Sequence, residues 1–317
     1  MIPRIAITLG DPRGIGPEIV EKVLTDPPAG AEYVVVGPKE LICDMAVDQV
    51  AVGAGRERGT GKAGVAVPVH RLPFPVPPEE AGRIVALQLQ TAVSLALDGS
   101  VQAIVTGPAE KRAFNLAGYH YPGHTEWLGE LAGGVPTAMM LVADALRVVL
   151  LTTHIALRDV PQALNADTIL ETGRLTELAL KTWWGIERPR IAVCALNPHG
   201  GEGGLFGSED EDLLGPLARE LGAHGPLPAD TVFVRALRGE FDAVLAPYHD
   251  VGMTAVKVAG FGRGVNVTLG LPFVRTSPDH GTAFDIAGRG VADAGSMKEA
   301  VALAAVLAAN SLRTKGI

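Results

Sequence analysis

Ile191-Ala192-Val193-Cys194-Ala195-Leu196-Asn197-Pro198-His199 is an apolar run that closes on a histidine, and the chain repeats that grammar twice. Arg147-Val148-Val149-Leu150-Leu151-Thr152-Thr153 leads into His154, and Phe241-Asp242-Ala243-Val244-Leu245-Ala246-Pro247-Tyr248 leads into His249. Read as parallel strands, the three runs deliver three imidazoles to the carboxyl edge of one sheet. Open α/β sheets bind their ligands at that edge. Imidazole is the commonest protein ligand for transition metals, and catalytic sites typically combine three protein ligands with an open position. One histidine at a strand end is ordinarily a satisfied polar residue. Three in equivalent places point to a divalent metal held by His154, His199 and His249.

Outward from these runs, strand-like and helix-like segments alternate from end to end, the pattern of an α/β fold with a largely parallel sheet. Arg4–Leu9 reads as a first strand and Val34–Val36 as a second; Val101–Val105 is another, ending at Thr106-Gly107-Pro108. Helices are expected from about Pro17, from Pro78 to Asp98 and from near Thr125. Thr168-Ile169-Leu170-Glu171 and Ser296-Met297-Lys298-Glu299 have the form of capping boxes ahead of two more. The stretch from Val52 to Pro78, which contains His70, reads as an irregular surface excursion.

The 317 residues are 47% hydrophobic and 20% charged, enough for a sizeable core in two domains or one large sheet with an appended lobe. A net charge of -8 speaks against nucleic acid as a partner, because a basic patch is the usual footprint. It leaves room for a small anionic substrate gripped by a few local cations. Two cysteines, Cys43 and Cys194, make no disulfide framework and suit a reducing cytoplasm. Arg4–Leu9 enters a strand with no leader pattern before it, and Val301–Ala309 is too short an apolar run to span a bilayer. A cytoplasmic globular protein without a membrane partner is expected.

Several loops carry chemistry-bearing residues. Gly10-Asp11-Pro12-Arg13-Gly14-Ile15-Gly16-Pro17 joins strand to helix, with Pro17 suited to the first helical turn. It matches neither a dinucleotide fingerprint nor a Walker loop, and a tight turn accounts for it as well as ligand binding does. At Gly123-His124-Thr125-Glu126, Thr125 is a candidate N-cap, and the amides there suit an anion as readily as a plain capping turn. His120 reads as a surface residue. The glycine-rich Asn197–Gly204 reads as a functional loop, and in Pro247-Tyr248-His249-Asp250 the carboxylate could orient the imidazole or accept a proton. Beyond it, Lys257, Asn266 and Arg275 make an anion clamp suited to phosphate or carboxylate. Gly260, Gly262, Gly264 and Gly270 crowd around these residues as in a cofactor loop, with Asp279 and His280 following.

These motifs together resemble the 4-hydroxythreonine-4-phosphate dehydrogenase family. The resemblance runs through Gly10-Asp11-Pro12, Gly14–Glu18, Gly123–Glu126, His154–Pro161, Asn197-Pro198-His199, Pro226–Thr231, Tyr248-His249-Asp250 and the block from Gly260 to Ala283. It implies two α/β/α lobes of isocitrate/isopropylmalate dehydrogenase-like fold with an active-site cleft between them. The expected lobes are 1–125 plus 275–317, and 126–274, the second carrying the metal ligands and a dimer interface. It also implies NAD or NADP as cofactor, a divalent Zn, Mg or Co ion on His154, His199 and His249, and a homodimer whose subunits share each site. Substrate contacts are implied for His124, Thr125, Lys257, Asn266 and Arg275. Gly262, Asn266, Asp279 and His280 are the expected cofactor contacts. Arg13, the Ala109-Glu110 pair and Val251 depart from the family pattern and bear on fine substrate preference.

The chemistry that fits is oxidative decarboxylation, with the ion acting as Lewis acid and Asp250 and Lys257 as candidates for proton transfer. A paralogous activity on threonate or erythronate 4-phosphate is the nearest alternative. A metal-dependent hydrolase and a non-catalytic metal- or anion-binding protein are readings from other classes.

Overall fold

The computed structural model describes residues 1–42, 45, 47–51, 75–121 and 123–316. Cys43, His70 and residues 52–74 of the expected excursion lie outside the described residues. The strands are β1 (Arg4–Thr8), β2 (Glu32–Gly37), β3 (Asp48–Ala51), β4 (Ala103–Thr106), β5 (Ala138–Ala143) and β6 (Leu146–Leu150). They continue with β7 (Ile191–Cys194), β8 (His224–Leu227), β9 (Ala243–Ala246), β10 (Val265–Leu269) and β11 (Val274–Pro278).

Contacts divide the chain into two compact units, Met1–Val135 with Leu271–Ile317, and Pro136–Gly270. In the first, the strand order is β3-β2-β1-β4-β11 and every neighbouring pair is parallel. Val34, Val36, Val85, Leu89, Ile104, Phe114, Trp127 and Leu128 share its core. A boundary between residues 125 and 126 would cut the helix His124–Leu131, whose Trp127 and Leu128 pack inside this core. Helix Pro78–Leu97 starts where Pro77 holds an extended backbone and buries Ala81, Val85, Leu89 and Ala92 along one face. At Gly82 it meets helix Lys111–Leu116 so closely that a Cβ would lie 2.1 Å from the Ala113 carbonyl oxygen.

In the second unit the order is β10-β5-β6-β9-β7-β8. β10–β5 and β5–β6 are antiparallel, while β6–β9, β7–β9 and β7–β8 are parallel. Leu141, Val148, Leu150, Cys194, Val232, Val244 and Val256 fill its core. The mixed α/β architecture is the one expected.

Three capping expectations fail, and only in the first does another side chain take the role. Helix Ala166–Thr182 starts ahead of Thr168, and the Asn165 side chain accepts the Thr168 amide at 3.0 Å. Helix Gly295–Thr314 begins before Ser296, whose hydroxyl instead accepts the Asp279 amide at 3.3 Å. Thr125 is inside its helix, and Gly123 is the extended N-cap residue.

Candidate active site

Strands β6, β9 and β7 lie side by side and parallel, so His154, His199 and His249 do leave the same edge of the second unit's sheet. Two of them meet. The rings of His154 and His249 have centroids 5.5 Å apart. The strand ends beneath them are tied together, the Leu151 amide donating to Ala246 O at 2.9 Å and Thr152 Oγ1 to Pro247 O at 2.7 Å. Tyr248 keeps an extended backbone and His249 opens the helix His249–Gly260. His249 Nδ1 lies 2.6 Å from Asp250 Oδ1, a contact that fixes the ring and leaves Nε2 for other work. The two rings line a cavity of about 120 Å³ with Thr153, Ile155, Leu157, Val160, Tyr248 and Asp250.

His199 does not join them. It sits exposed on a loop whose backbone turns left-handed at His199 itself (φ 55°) and stays so through Gly200, Gly201 and Glu202. Among the described residues, no three His, Cys, Asp or Glu side chains converge as a metal set. The neck of this loop is held by Asp210, which is fully buried and accepts the Leu196 and Asn197 amides at 2.8 and 2.9 Å. Burial, with help from the Asp210 charge, pushes the Cys194 thiol up to about 12, so it is an inert core residue.

The first unit builds a different edge. Arg275 stands in β11, only 3% exposed, and donates from Nη2 to Thr106 Oγ1 at 2.6 Å. Burial lowers its guanidinium to about 10, against the raising effect of Glu126. Burial, and then repulsion from Arg275, lowers His124 to about 3, so its ring is neutral at pH 7. Thr125 is buried beside it at the helix start. A buried guanidinium, a hydroxyl, a neutral imidazole and helix-start amides together suit an anionic group.

The glycine loop after β1 is also fixed. Gln88, fully buried in helix Pro78–Leu97, accepts the Leu9 and Gly10 amides at 2.8 and 3.1 Å and donates to Gly10 O at 2.9 Å. Gly10 is left-handed (φ +77°), and a Cβ there would lie 2.3 Å from the Pro108 carbonyl oxygen. Arg13 donates to both oxygens of buried Asp11 and to Glu110 Oε2 at 2.8 Å, and lies over the Phe284 ring. Two of the departures from the family pattern, Arg13 and Glu110, are therefore partners.

The remaining expected site residues are placed separately. Lys257 is exposed on helix His249–Gly260, and Gly262 follows in the turn with φ +83°. Asn266 Oδ1 in β10 and His280 Nε2 are buried atoms without a partner among the described residues. Asp279, partly buried, lies just beyond β11. Sequence reasoning missed Gln88 and Asp210. Gln88 carried a signal, a lone amide within Ile84-Val85-Ala86-Leu87-Gln88-Leu89.

Such an α/β chain, with imidazoles on one sheet edge and a buried guanidinium on another, has the makings of an enzyme for small anions. Residues 30–304 match the family described as pyridoxal phosphate biosynthetic protein PdxA. The 4-hydroxythreonine-4-phosphate dehydrogenase of Beijerinckia indica is 43% identical over 319 residues, covering 93% of this chain and 92% of that protein. The crystal structure of the enzyme of that name from Klebsiella pneumoniae is 39% identical, with a TM-score of 0.81 over 97% of this chain and 98% of its own. A terephthalate 1,2-cis-dihydrodiol dehydrogenase from Burkholderia xenovorans is 28% identical, with a TM-score of 0.66 over 96% of this chain and 98% of its own. The chain belongs to the PdxA family.

Proposed function

We propose that the chain oxidises and decarboxylates 4-hydroxythreonine 4-phosphate with NAD, giving 3-amino-2-oxopropyl phosphate, carbon dioxide and NADH on the route to pyridoxal phosphate. NADP is the alternative hydride acceptor. The observation that carries this reading is the His154–His249 pair with Asp250 behind it, in a chain so similar along its length to dehydrogenases of that name.

The imidazole donors suit a transition-metal ion such as Zn or Co better than Mg, which favours oxygen ligands. His249 has its Nδ1 engaged and its Nε2 available, His154 is beside it, and His199 is the third imidazole. An ion held there would act as a Lewis acid on the oxygen that turns from hydroxyl to ketone. The protein's own share is proton movement and charge matching. Asp250 and Lys257 are the groups assigned to proton transfer, Asp250 also orienting His249. His124, Thr125, Lys257, Asn266 and Arg275 are assigned to the substrate, with Arg275 supplying a buried positive charge and His124 a neutral hydrogen-bonding ring. Gly262, Asn266, Asp279 and His280 are assigned to the nicotinamide cofactor. The unmatched Asn266 Oδ1 and His280 Nε2 support this assignment, since buried polar atoms ordinarily have partners.

A homodimer that shares its sites is part of the same reading. One chain brings two imidazoles together and holds the third apart. Apolar side chains stand exposed beside both, Ile155 and Leu157 next to the pair and Leu205 and Phe206 in the His199 loop. Among the described residues, no helix is long and apolar enough to cross a membrane. A cytoplasmic location belongs to the proposal as a biosynthetic dehydrogenase.

Parallel assays with 4-hydroxythreonine 4-phosphate and with threonate and erythronate 4-phosphates test the assignment. Preference for the amino acid is expected. Equal or better turnover of a sugar acid phosphate would replace it with the paralogous activity.

A further inference from the structure

We propose that Asp210 is a positioning residue for His199, its carboxylate closing the neck of the loop that presents the imidazole. The inference rests on the reading of His199 as a metal ligand. It starts from a conformational difficulty. His199 (φ 55°) and Glu202 (φ 44°) are non-glycine residues in the left-handed region, flanked by Gly200, Gly201, Gly203 and Gly204, all at positive φ. Non-glycine residues are strained there and persist only where their surroundings hold them. The imidazole is exposed and the loop tip has no core to settle into.

The restraint lies at the base. Asp210 Oδ1 accepts the Leu196 amide at 2.8 Å and Oδ2 the Asn197 amide at 2.9 Å, so one carboxylate clasps two consecutive donors just ahead of Pro198-His199. Asn197 Nδ2 donates to Glu209 Oε2 at 2.8 Å, a second tie across the same neck. Gly201 closes against the far side, where a Cβ would lie 2.8 Å from Gly207 O. Asp210 has no exposed surface, so this grip is shielded from water. The residue type matters. A carboxylate offers an acceptor to each amide, whereas an isosteric amide offers one acceptor and turns a donor toward the other N–H. Asp210→Asn therefore keeps size and burial while opening half of the clasp.

The test is zinc binding to the full-length metal-free protein, read by competition with a chelating indicator, for the parent, D210N, H199A and the double variant. Supporting groups behind metal ligands are typically worth ten- to hundredfold in affinity, and D210N is expected to weaken zinc binding by about that factor, with helix content and dimer size unchanged. In the H199A background the same substitution should cost nothing further, because Asp210 acts only through His199. Glu209→Gln, which loosens the outer tie, should give a smaller loss in the same direction and keeps the test available if D210N does not fold. Parent-like zinc affinity in D210N while H199A is weakened would overturn the positioning role alone, as would an undiminished D210N effect in the H199A background. Parent-like affinity in H199A itself would remove His199 as a ligand and the inference with it.

Discussion

The carboxyl edges of the two units solve opposite problems. In the first unit the functional groups are buried or half-buried: Arg275 bonded to Thr106, a neutral His124 beside it, and Gln88 fastening the turn at Gly10. In the second they face outward, with Asp250 87% exposed and His249 34% exposed in their side chains, and one imidazole of three held apart on a strained loop. A buried cation beside a neutral ring is chemistry that suits an anionic group. The imidazoles of the second unit stand at its surface, two of them side by side. The contrast is between a buried cluster in one unit and, in the other, two adjacent imidazoles with a third held apart.

The sharpest way to break that contrast is at the histidines. His249→Ala or His154→Ala should remove turnover and most zinc affinity with the fold retained; an active variant would end the metal assignment. Under the proposed shared site, the adjacency of His154 and His249 makes His199 the ligand that crosses between subunits. Mixed dimers of His199→Ala and His249→Ala chains should therefore regain one intact site, whereas mixtures of His154→Ala and His249→Ala should regain none. Recovery in the second mixture and not in the first would reverse the pairing.

In the first unit the effects should be smaller and should leave zinc binding alone. Arg275→Lys is expected to lower kcat/KM by about 2 kcal/mol, chiefly through KM for the phosphorylated substrate, because an ammonium cannot reproduce the planar guanidinium contact. A parent-like KM would remove Arg275 from the substrate site. Gln88→Leu strands the Leu9 and Gly10 amides and should destabilise the protein by about 1–3 kcal/mol in denaturant unfolding. An unchanged midpoint would show that water replaces those bonds.

The effect that vanishes at neutral pH is a pH slope. His124 titrates near 3 when folded and near 6.5 when unfolded, so below about 6.5 the unfolded chain binds the extra proton. Its contribution is fully present above that pH and is lost progressively as the pH falls toward 3. His124→Gln should flatten this part of the stability–pH curve, and an unaltered slope would mean the ring is not desolvated as described.

The strands and the direction of the three histidines were legible because apolar runs of four to eight residues bounded by turn residues carry a strong signal. Arg275 was legible as a cation, but its burial was not, since a charged residue in a strand gives no sign of which surface covers it. The helix starts misled because Thr168 and Ser296 fit the capping-box pattern, while Asn165 and Ala294 take the actual N-cap positions. Asp210 was illegible for a different reason. It sits in Glu209-Asp210-Glu211-Asp212, an acidic run whose members look alike until the fold buries one of them completely.

The central claim, a metal-dependent dehydrogenase of a phosphorylated hydroxy amino acid, meets its most direct test in one cuvette. Purified protein with 4-hydroxythreonine 4-phosphate and NAD should form NADH and carbon dioxide in equal amounts, stop when the divalent ion is chelated, and resume when zinc or cobalt is returned. Turnover that ignores the chelator, or release of phosphate with no NADH formed, would contradict the account.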